Sequence, residues 1–325
     1  MEKANLGLIG LGQMGKIHLN TCLNLEAANV VAVADISQKE LLKARNAGVK
    51  HVYEDYTDLL KNPDIDAAII SLPTFLHKQA AVAAAEHGKH ILLEKPIARN
   101  VKEAESIIAA TKSNDVKLMT GYPLLFSEPF VNLRHDIERG VFGDVQVAIA
   151  NHISTGPFLG YVTENGIPKP VPSWWFDKTL TGGGALIDLG CHMLTFLRFC
   201  FGNVENVHSF LGHRFNMDFE DSATCVLRFQ SGAIVTLNVG WFSIYHKVEV
   251  EVFGTTSTAS VTSKSSGWLD YIKGMFVAKK SPTFFNEVKY FVDCLISDTQ
   301  PIPSSEDGLE DLKIIEEAYR NTVDV

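Results

Sequence analysis

Short runs rich in Val, Ile and Leu recur through the first third of the chain, at Leu6 to Ile9, Val30 to Ala34, Ala67 to Ser71, His90 to Leu93 and Lys117 to Gly121. Each is apolar on both faces, which predicts strands of a parallel sheet covered on both sides rather than half-exposed hairpins. The stretches between them, such as Lys78 to His87 and Val101 to Lys112, have the length of crossover helices. Residues 1–122 thus predict a doubly wound α/β domain.

From Pro123 the pattern changes. A helix is expected from Glu128 to Arg139 and a turn from Gly140 to Asp144. Strict alternation follows: Ala223, Cys225, Leu227 and Phe229 share one face of a strand, and Val235, Leu237, Val239 and Trp241 share one face of the next. Val204 to Leu211 and Lys247 to Phe253 are further strand candidates, and the Ser/Thr-rich Thr255 to Ser266 reads as a strand edge and loop. Residues 123–325 predict an α+β domain whose large, mostly antiparallel sheet has one face on helices and one open. Between a strand ending near Ile153 and a helix opening at Ala185, the Gly and Pro punctuation (Gly156-Pro157, Gly160, Pro168, Pro170, Pro172) forbids a long regular element. Long ordered loops in compact domains are often lids. This one carries Tyr161 and the pair Trp174-Trp175, which either cover a substrate or plug the core.

Composition narrows the classes. The chain has 325 residues, enough for two domains, and 46% apolar content excludes disorder. With 29 Lys and Arg against 38 Asp and Glu the net charge is −9, and no basic run exceeds Lys279-Lys280, so neither nucleic acid nor an anionic membrane is an expected partner. Five cysteines without CxxC or metal spacing read as reduced, buried thiols. There is no signal-peptide core and no run of roughly 18 apolar residues to span a bilayer. A soluble, cytoplasmic protein without a metal site is expected.

The first strand leads directly into Gly10-Leu11-Gly12-Gln13-Met14-Gly15, and a helix opens near Lys16. Glycines at that spacing allow a tight turn and close backbone approach to a pyrophosphate, which the helix amino terminus then binds. Asp35 ends the second strand, 20 residues after Gly15. A carboxylate there suits ribose hydroxyls and repels a 2′-phosphate, and Ile36-Ser37-Gln38 supplies no arginine, so NAD is favoured over NADP. Gln13 and Met14 are expected at the cofactor with Gly10 and Gly12. So is the loop Ser71-Leu72-Pro73, because strand carboxyl ends line the ligand crevice; His77 is either another contact there or a helix-start residue bonded locally.

Two further constellations carry charge on apolar elements. Glu94-Lys95-Pro96 follows a buried strand. Asp188 and His192 share a face of a helix from Ala185 to Phe201 that is otherwise apolar all round, after the chain break Gly182-Gly183-Gly184. A buried carboxylate and imidazole need partners or a task.

With the glycine motif, Asp35 and Glu94-Lys95-Pro96 together, the sequence resembles the Gfo/Idh/MocA oxidoreductases, largely sugar and cyclitol dehydrogenases that use NAD or NADP. The likeness also takes in His18, Gly182 to His192, and Pro303-Ser304-Ser305-Glu306-Asp307-Gly308 before a last helix. Thr155 to Ser173 is expanded relative to shorter members. The resemblance implies a Rossmann domain over 1–122 and a substrate-binding and oligomerisation domain over 123–325, pairing as a dimer or tetramer through the open sheet face.

The expected reaction is oxidation of a secondary hydroxyl of a sugar, cyclitol or sugar nucleotide, with hydride passing to the nicotinamide. His192 or a neutral Lys95 takes the hydroxyl proton, Lys95 stabilises alkoxide character and Asp188 binds the substrate or stabilises developing charge. Glu94 either orients the nicotinamide end or braces the turn. Tyr122, Tyr161 and Trp175 are expected substrate contacts. The competing readings are a glycosidase or lyase that oxidises its sugar transiently, and a non-catalytic NAD-binding sensor.

Overall fold

The computed structural model describes residues 3–159, 161–162, 168–215, 217–264 and 282–323. The chain forms two units, Met1–Tyr122 with Ala278–Leu309, and Pro123–Val277 with Glu310–Val325.

The first unit is built on β1 (Ala4–Ile9), α1 (Gln13–Leu23), β2 (Ala28–Ala34), α2 (Gln38–Asn46), β3 (His51–Tyr53), α3 (Tyr56–Leu60), β4 (Ala67–Ile70), α4 (Thr74–Glu86), β5 (His90–Glu94), α5 (Val101–Ser113) and β6 (Leu118–Gly121). The strands run in the order β3-β2-β1-β4-β5-β6, with every neighbouring pair parallel. Ala67–Ile70 and Ile91–Leu93 are wholly buried, as strands apolar on both faces require. Connections reverse direction between β1 and β4, so the loops after these two strands flank the switch point where such sheets bind ligands. The three-residue edge strand β3 has no Val- or Ile-rich run to announce it, and no expected strand corresponds to it.

The second unit contains α6 (Glu128–Glu138), β7 (Val145–Ile153), the two-residue pair β8 (Tyr161–Val162) and β9 (Pro168–Lys169), α7 (Lys178–Thr181), a π-helical segment Leu186–Gly190 running into α8 (Cys191–Phe201), and β10 to β14. The last five strands are Val204–Gly212, Ser222–Phe229, Ile234–Gly240, Lys247–Gly254 and Thr258–Lys264. Their sheet has the order β10-β11-β12-β7-β13-β14, antiparallel throughout except for the parallel β12/β7 pair. The inner face carries the expected alternating residues, and Ala148, Ala150 and His152 of β7 join them. Across the outer face a side-chain ladder runs from Thr224 through Asn238 and Asn151 to Glu249. Val147, Phe210, Val226, Ile234 and Phe253 stand exposed on these strands. The stretch Lys178–Phe201 is long and apolar enough to cross a bilayer by length and composition, yet 72% of its apolar window is buried inside the protein, as befits a core helix.

The chain then returns through α9 (Pro282–Ile296) and α10 (Ser305–Arg320). The expected division placed all residues after 122 together; instead α9 packs on α1 in the first unit. Its inward residue Glu287 is fully buried, and neither of its carboxyl oxygens has a hydrogen-bond partner among the described residues. Burial, reinforced by the nearby Glu94 charge, holds this carboxyl well above its ordinary 4.5.

An acid whose folded pKa is raised contributes its full stability below the unfolded value and loses it as pH climbs toward the folded one, because unfolding then releases a proton. Glu287→Gln keeps the neutral shape and removes that proton. Its stability advantage over the unmodified protein should therefore widen from pH 5 to pH 8, at up to about 1.4 kcal/mol per pH unit. Urea unfolding at several pH values checks this; a constant difference would mean that Glu287 is ionised in the fold.

Candidate active site

In the first unit, β1 ends at the glycine turn and α1 begins at Gln13 with Gly12 at its cap position and no side chain bonded there. Short backbone approaches fix the turn: a Cβ on Gly15 would lie 1.9 Å from the Gly10 carbonyl oxygen, and one on Gly10 would lie 2.7 Å from that of Ser71. A Cβ on Gly12 would meet nothing within 4 Å. The result is an open cradle over uncapped helix N–H groups, shaped for an anion such as a pyrophosphate. Beside it the buried Ser71 hydroxyl has no partner among the described residues, a polar group of the kind a bound ligand satisfies. These features fit a dinucleotide. Gln13 is exposed and Met14, Leu72 and Pro73 are half-buried around the turn.

Asp35 is held by the main chain, its two oxygens accepting from the amides of Leu11 at 2.5 Å and Ser37 at 2.7 Å. The carboxylate is thereby tied to the glycine turn. At the end of β5, Glu94 is buried and its Oε1 lies 2.6 Å from Nε2 of His18 on α1, while Lys95 is half-buried and its bond to Pro96 is cis. Glu94 thus braces the strand end against α1. Of the two roles expected for His77, the ring takes the locally bonded one: it is buried, with Nε2 2.8 Å from the Leu72 carbonyl and Nδ1 2.9 Å from that of Pro96. Burial holds this imidazole below its ordinary value despite the two carbonyls. The ring joins the loops after β4 and β5. Tyr122, expected as a substrate contact, is only 1% exposed.

In the second unit every residue from Gly183 to Leu197 is buried except Asp188 and His192, which are half-exposed. The one-turn spacing aligns them on a single face, as the sequence implied, although the helix enters as a π turn, a departure often found at functional sites. Asp188 Oδ2 accepts from the Trp241 indole at 3.2 Å; that indole is 1% exposed and needs an acceptor. The His192 ring lies 5.5 Å from that of His152, which packs 5.5 Å from His246 on its other side. Burial holds His246 below its ordinary value. Among the described residues no three His, Cys, Asp or Glu side chains are arranged to hold a metal.

Trp174 and Trp175 stack at 5.0 Å, and Trp175 lies edge-on to Trp241 at 6.4 Å. Both are half-buried, so they neither project into solvent nor fill the core. Phe158 packs on Trp241 and, at 4.3 Å, on Phe215. The Tyr161 side chain and Gly160 lie outside the described residues. Sequence reasoning missed Trp241 and His152 as neighbours of the Asp/His pair. A buried indole on the strand face opposite that helix was the available signal for the first; the second required the alternation of β7 to be read.

Family models match both parts of the chain: the oxidoreductase family with NAD-binding Rossmann fold over residues 4–122, and the GFO/IDH/MocA C-terminal domain over 130–260. An uncharacterized oxidoreductase, ORF334, of Rhizobium meliloti is 30% identical over 80% of this chain and 75% of its own. The myo-inositol 2-dehydrogenase of Thermotoga maritima is 27% identical over 93% of this chain and 91% of its own. Scyllo-inositol dehydrogenase from Lactobacillus casei, solved with NAD(H) and scyllo-inositol, shares the fold at TM-score 0.81 and 20% identity, covering 98% of this chain and 97% of that one. The glycine cradle at the head of α1 and the matches on both sides of residue 122 lead to one conclusion: the chain belongs to the Gfo/Idh/MocA family of NAD-binding oxidoreductases.

Proposed function

We propose that this protein is an NAD-preferring dehydrogenase that oxidises a secondary hydroxyl of a cyclitol, sugar or sugar nucleotide, with Lys95, Asp188 and His192 acting on the substrate. The observation that carries the reading is the helix from Gly183 to Leu197, whose only side chains left partly accessible are a carboxylate and an imidazole one turn apart. The inositol dehydrogenases among the relatives support a polyol substrate.

Gly10, Gly12 and Ser71, with the amide groups opening α1, would hold the pyrophosphate, and Asp35 the adenosine ribose. When bound, NAD supplies the hydride acceptor. His192 accepts the hydroxyl proton as the carbonyl forms, a task suited to imidazole near neutral pH. The Lys95 ammonium donates to the same oxygen and stabilises its growing negative charge. Asp188, its second oxygen turned by the Trp241 indole, accepts from a neighbouring hydroxyl of the ring. Trp175 would lie along the apolar C–H face of a sugar, and a substrate larger than a monosaccharide would be accommodated there. The exposed apolar residues on the outer sheet face support pairing of two copies there. All five cysteines are free, in keeping with a cytoplasmic location.

Lys95→Ala and His192→Ala should each lower turnover by at least about 100-fold while NAD binding, read by NADH fluorescence, persists. Full activity in either variant would displace the chemistry from these residues. NADH formation across a panel of inositols, free sugars and UDP-linked sugars identifies the substrate class, and no turnover on any of them would end this reading. For the cofactor, NAD should bind more tightly than NADP, and Asp35→Ala should narrow the gap; equal affinities in the unmodified protein would remove the preference. Trp175→Ala should raise the substrate KM and leave the NAD affinity unchanged.

A further inference from the structure

The head of the Asp188/His192 helix is gripped by a residue from another element. Glu220, which precedes β11 and is 2% exposed, directs one oxygen at three donors: the amides of Gly184 at 3.0 Å and Leu186 at 2.9 Å, and the Tyr319 hydroxyl at 2.8 Å. The amide between those two, from Ala185, donates to the Glu220 main-chain carbonyl at 3.1 Å. Three successive N–H groups at the helix start, which have no acceptor within the helix, are thus taken by one residue.

The glycines make this approach possible. A Cβ on Gly184 would sit 1.8 Å from the Glu220 carbonyl oxygen, and one on Gly183 would sit 2.3 Å from the Tyr319 hydroxyl. The next residue extends the hold: the Asp221 carbonyl accepts from the Trp241 amide at 2.9 Å, and Trp241 in turn bonds the Asp188 carboxylate. Farther along α8, Asp311 of α10 takes Thr195 and pairs with Arg198 at 3.0 Å.

We propose that Glu220 and Tyr319 are positioning residues that set the rotation of this helix, and so the direction in which Asp188 and His192 point. The inference rests on the reading above that these two act on the substrate. Apolar packing would hold the helix in place but leaves its rotation loosely defined. Hydrogen bonds to three consecutive amides, which sit at successive positions around the axis, define it. Burying a carboxylate costs free energy, and burial pushes both Glu220 and Tyr319 above their ordinary values. The helix amino terminus and the three donors offset that cost.

Because all three donors converge on one oxygen, glutamine can reproduce the contact. Glu220→Gln, Glu220→Ala, Tyr319→Phe and His192→Ala would be compared with the unmodified protein. The readouts are thermal unfolding, NAD affinity, kcat and KM for the best-oxidised inositol or sugar, and the NMR signal of the His192 ring. Glu220→Ala should lower kcat by about 100-fold and Tyr319→Phe by a smaller factor, about 3- to 10-fold, since displacements near 1 Å cost this much. NAD affinity should stay within about twofold, because the cradle of the first unit is untouched. Both variants should shift the His192 ring signal, and Glu220→Gln should restore signal and kcat together. A folded Glu220→Ala with unchanged kcat and an unshifted His192 signal would overturn the proposal, as would Glu220→Gln failing to restore either. Should Glu220→Ala not fold, Tyr319→Phe and Glu220→Gln decide by the same criteria. An active His192→Ala would instead refute the assignment of the catalytic pair, whereas an inactive one beside a fully active Glu220→Ala would refute the clamp alone.

Discussion

A carboxylate or imidazole carried on an apolar strand or helix loses most of its hydration, a loss tolerated only where hydrogen-bond partners replace the water. The chemistry-bearing elements of this protein are built around that condition. On β5, Glu94 meets His18 of α1. On the helix through Asp188, the carboxylate meets the Trp241 indole. Each partner comes from a different element and fixes the direction of the side chain it satisfies, so the arrangement of the surrounding elements is tied to where the charges point. Glu287 marks the limit of the rule: with no donor at either oxygen among the described residues, burial and the Glu94 charge hold its carboxyl well above the ordinary value.

The two helix starts show one piece of physics put to opposite uses. Each presents N–H groups that its own turn cannot satisfy, and each is reached through glycines that let other atoms come close. At α1 the space above Gly12 is open and no side chain caps the turn, so the anion must come from a ligand. At Gly184 to Leu186 the same positions are filled by Glu220, an acceptor belonging to the chain. The first start is therefore able to recognise, and the second is able to hold a helix still.

How much of this could be read in the sequence followed from how local each cause is. Strands apolar on both faces, the glycine turn with Asp35 at its proper distance, and the one-turn Asp/His spacing are written in neighbouring residues, and all of them were legible. The short edge strand at His51 was not, because an edge position needs no apolar run. The burial of Tyr122 and the bonds of the His77 ring to the Leu72 and Pro96 carbonyls depend on tertiary packing, which the neighbouring residues do not spell out. Glu220 and Glu287 lie 36 and 193 residues from Gly184 and Glu94, their respective neighbours, and a buried glutamate looks in sequence like any solvated one. Only tertiary structure separates the two.

The loop before the Asp188/His192 helix bears on two readings that the sequence left as alternatives. Trp174 and Trp175 stack on one another half-buried, and Trp175 lies against Trp241. Trp241 cannot turn without releasing Asp188, because its indole N–H is bonded there, or without leaving the Asp221 carbonyl that holds its amide. The aromatic loop is therefore anchored on the residue that orients the carboxylate. It serves as a plug where it covers Trp241 and remains accessible on its other side. A ligand ring stacking on that accessible side would press on a contact that leads, through a single indole, to Asp188.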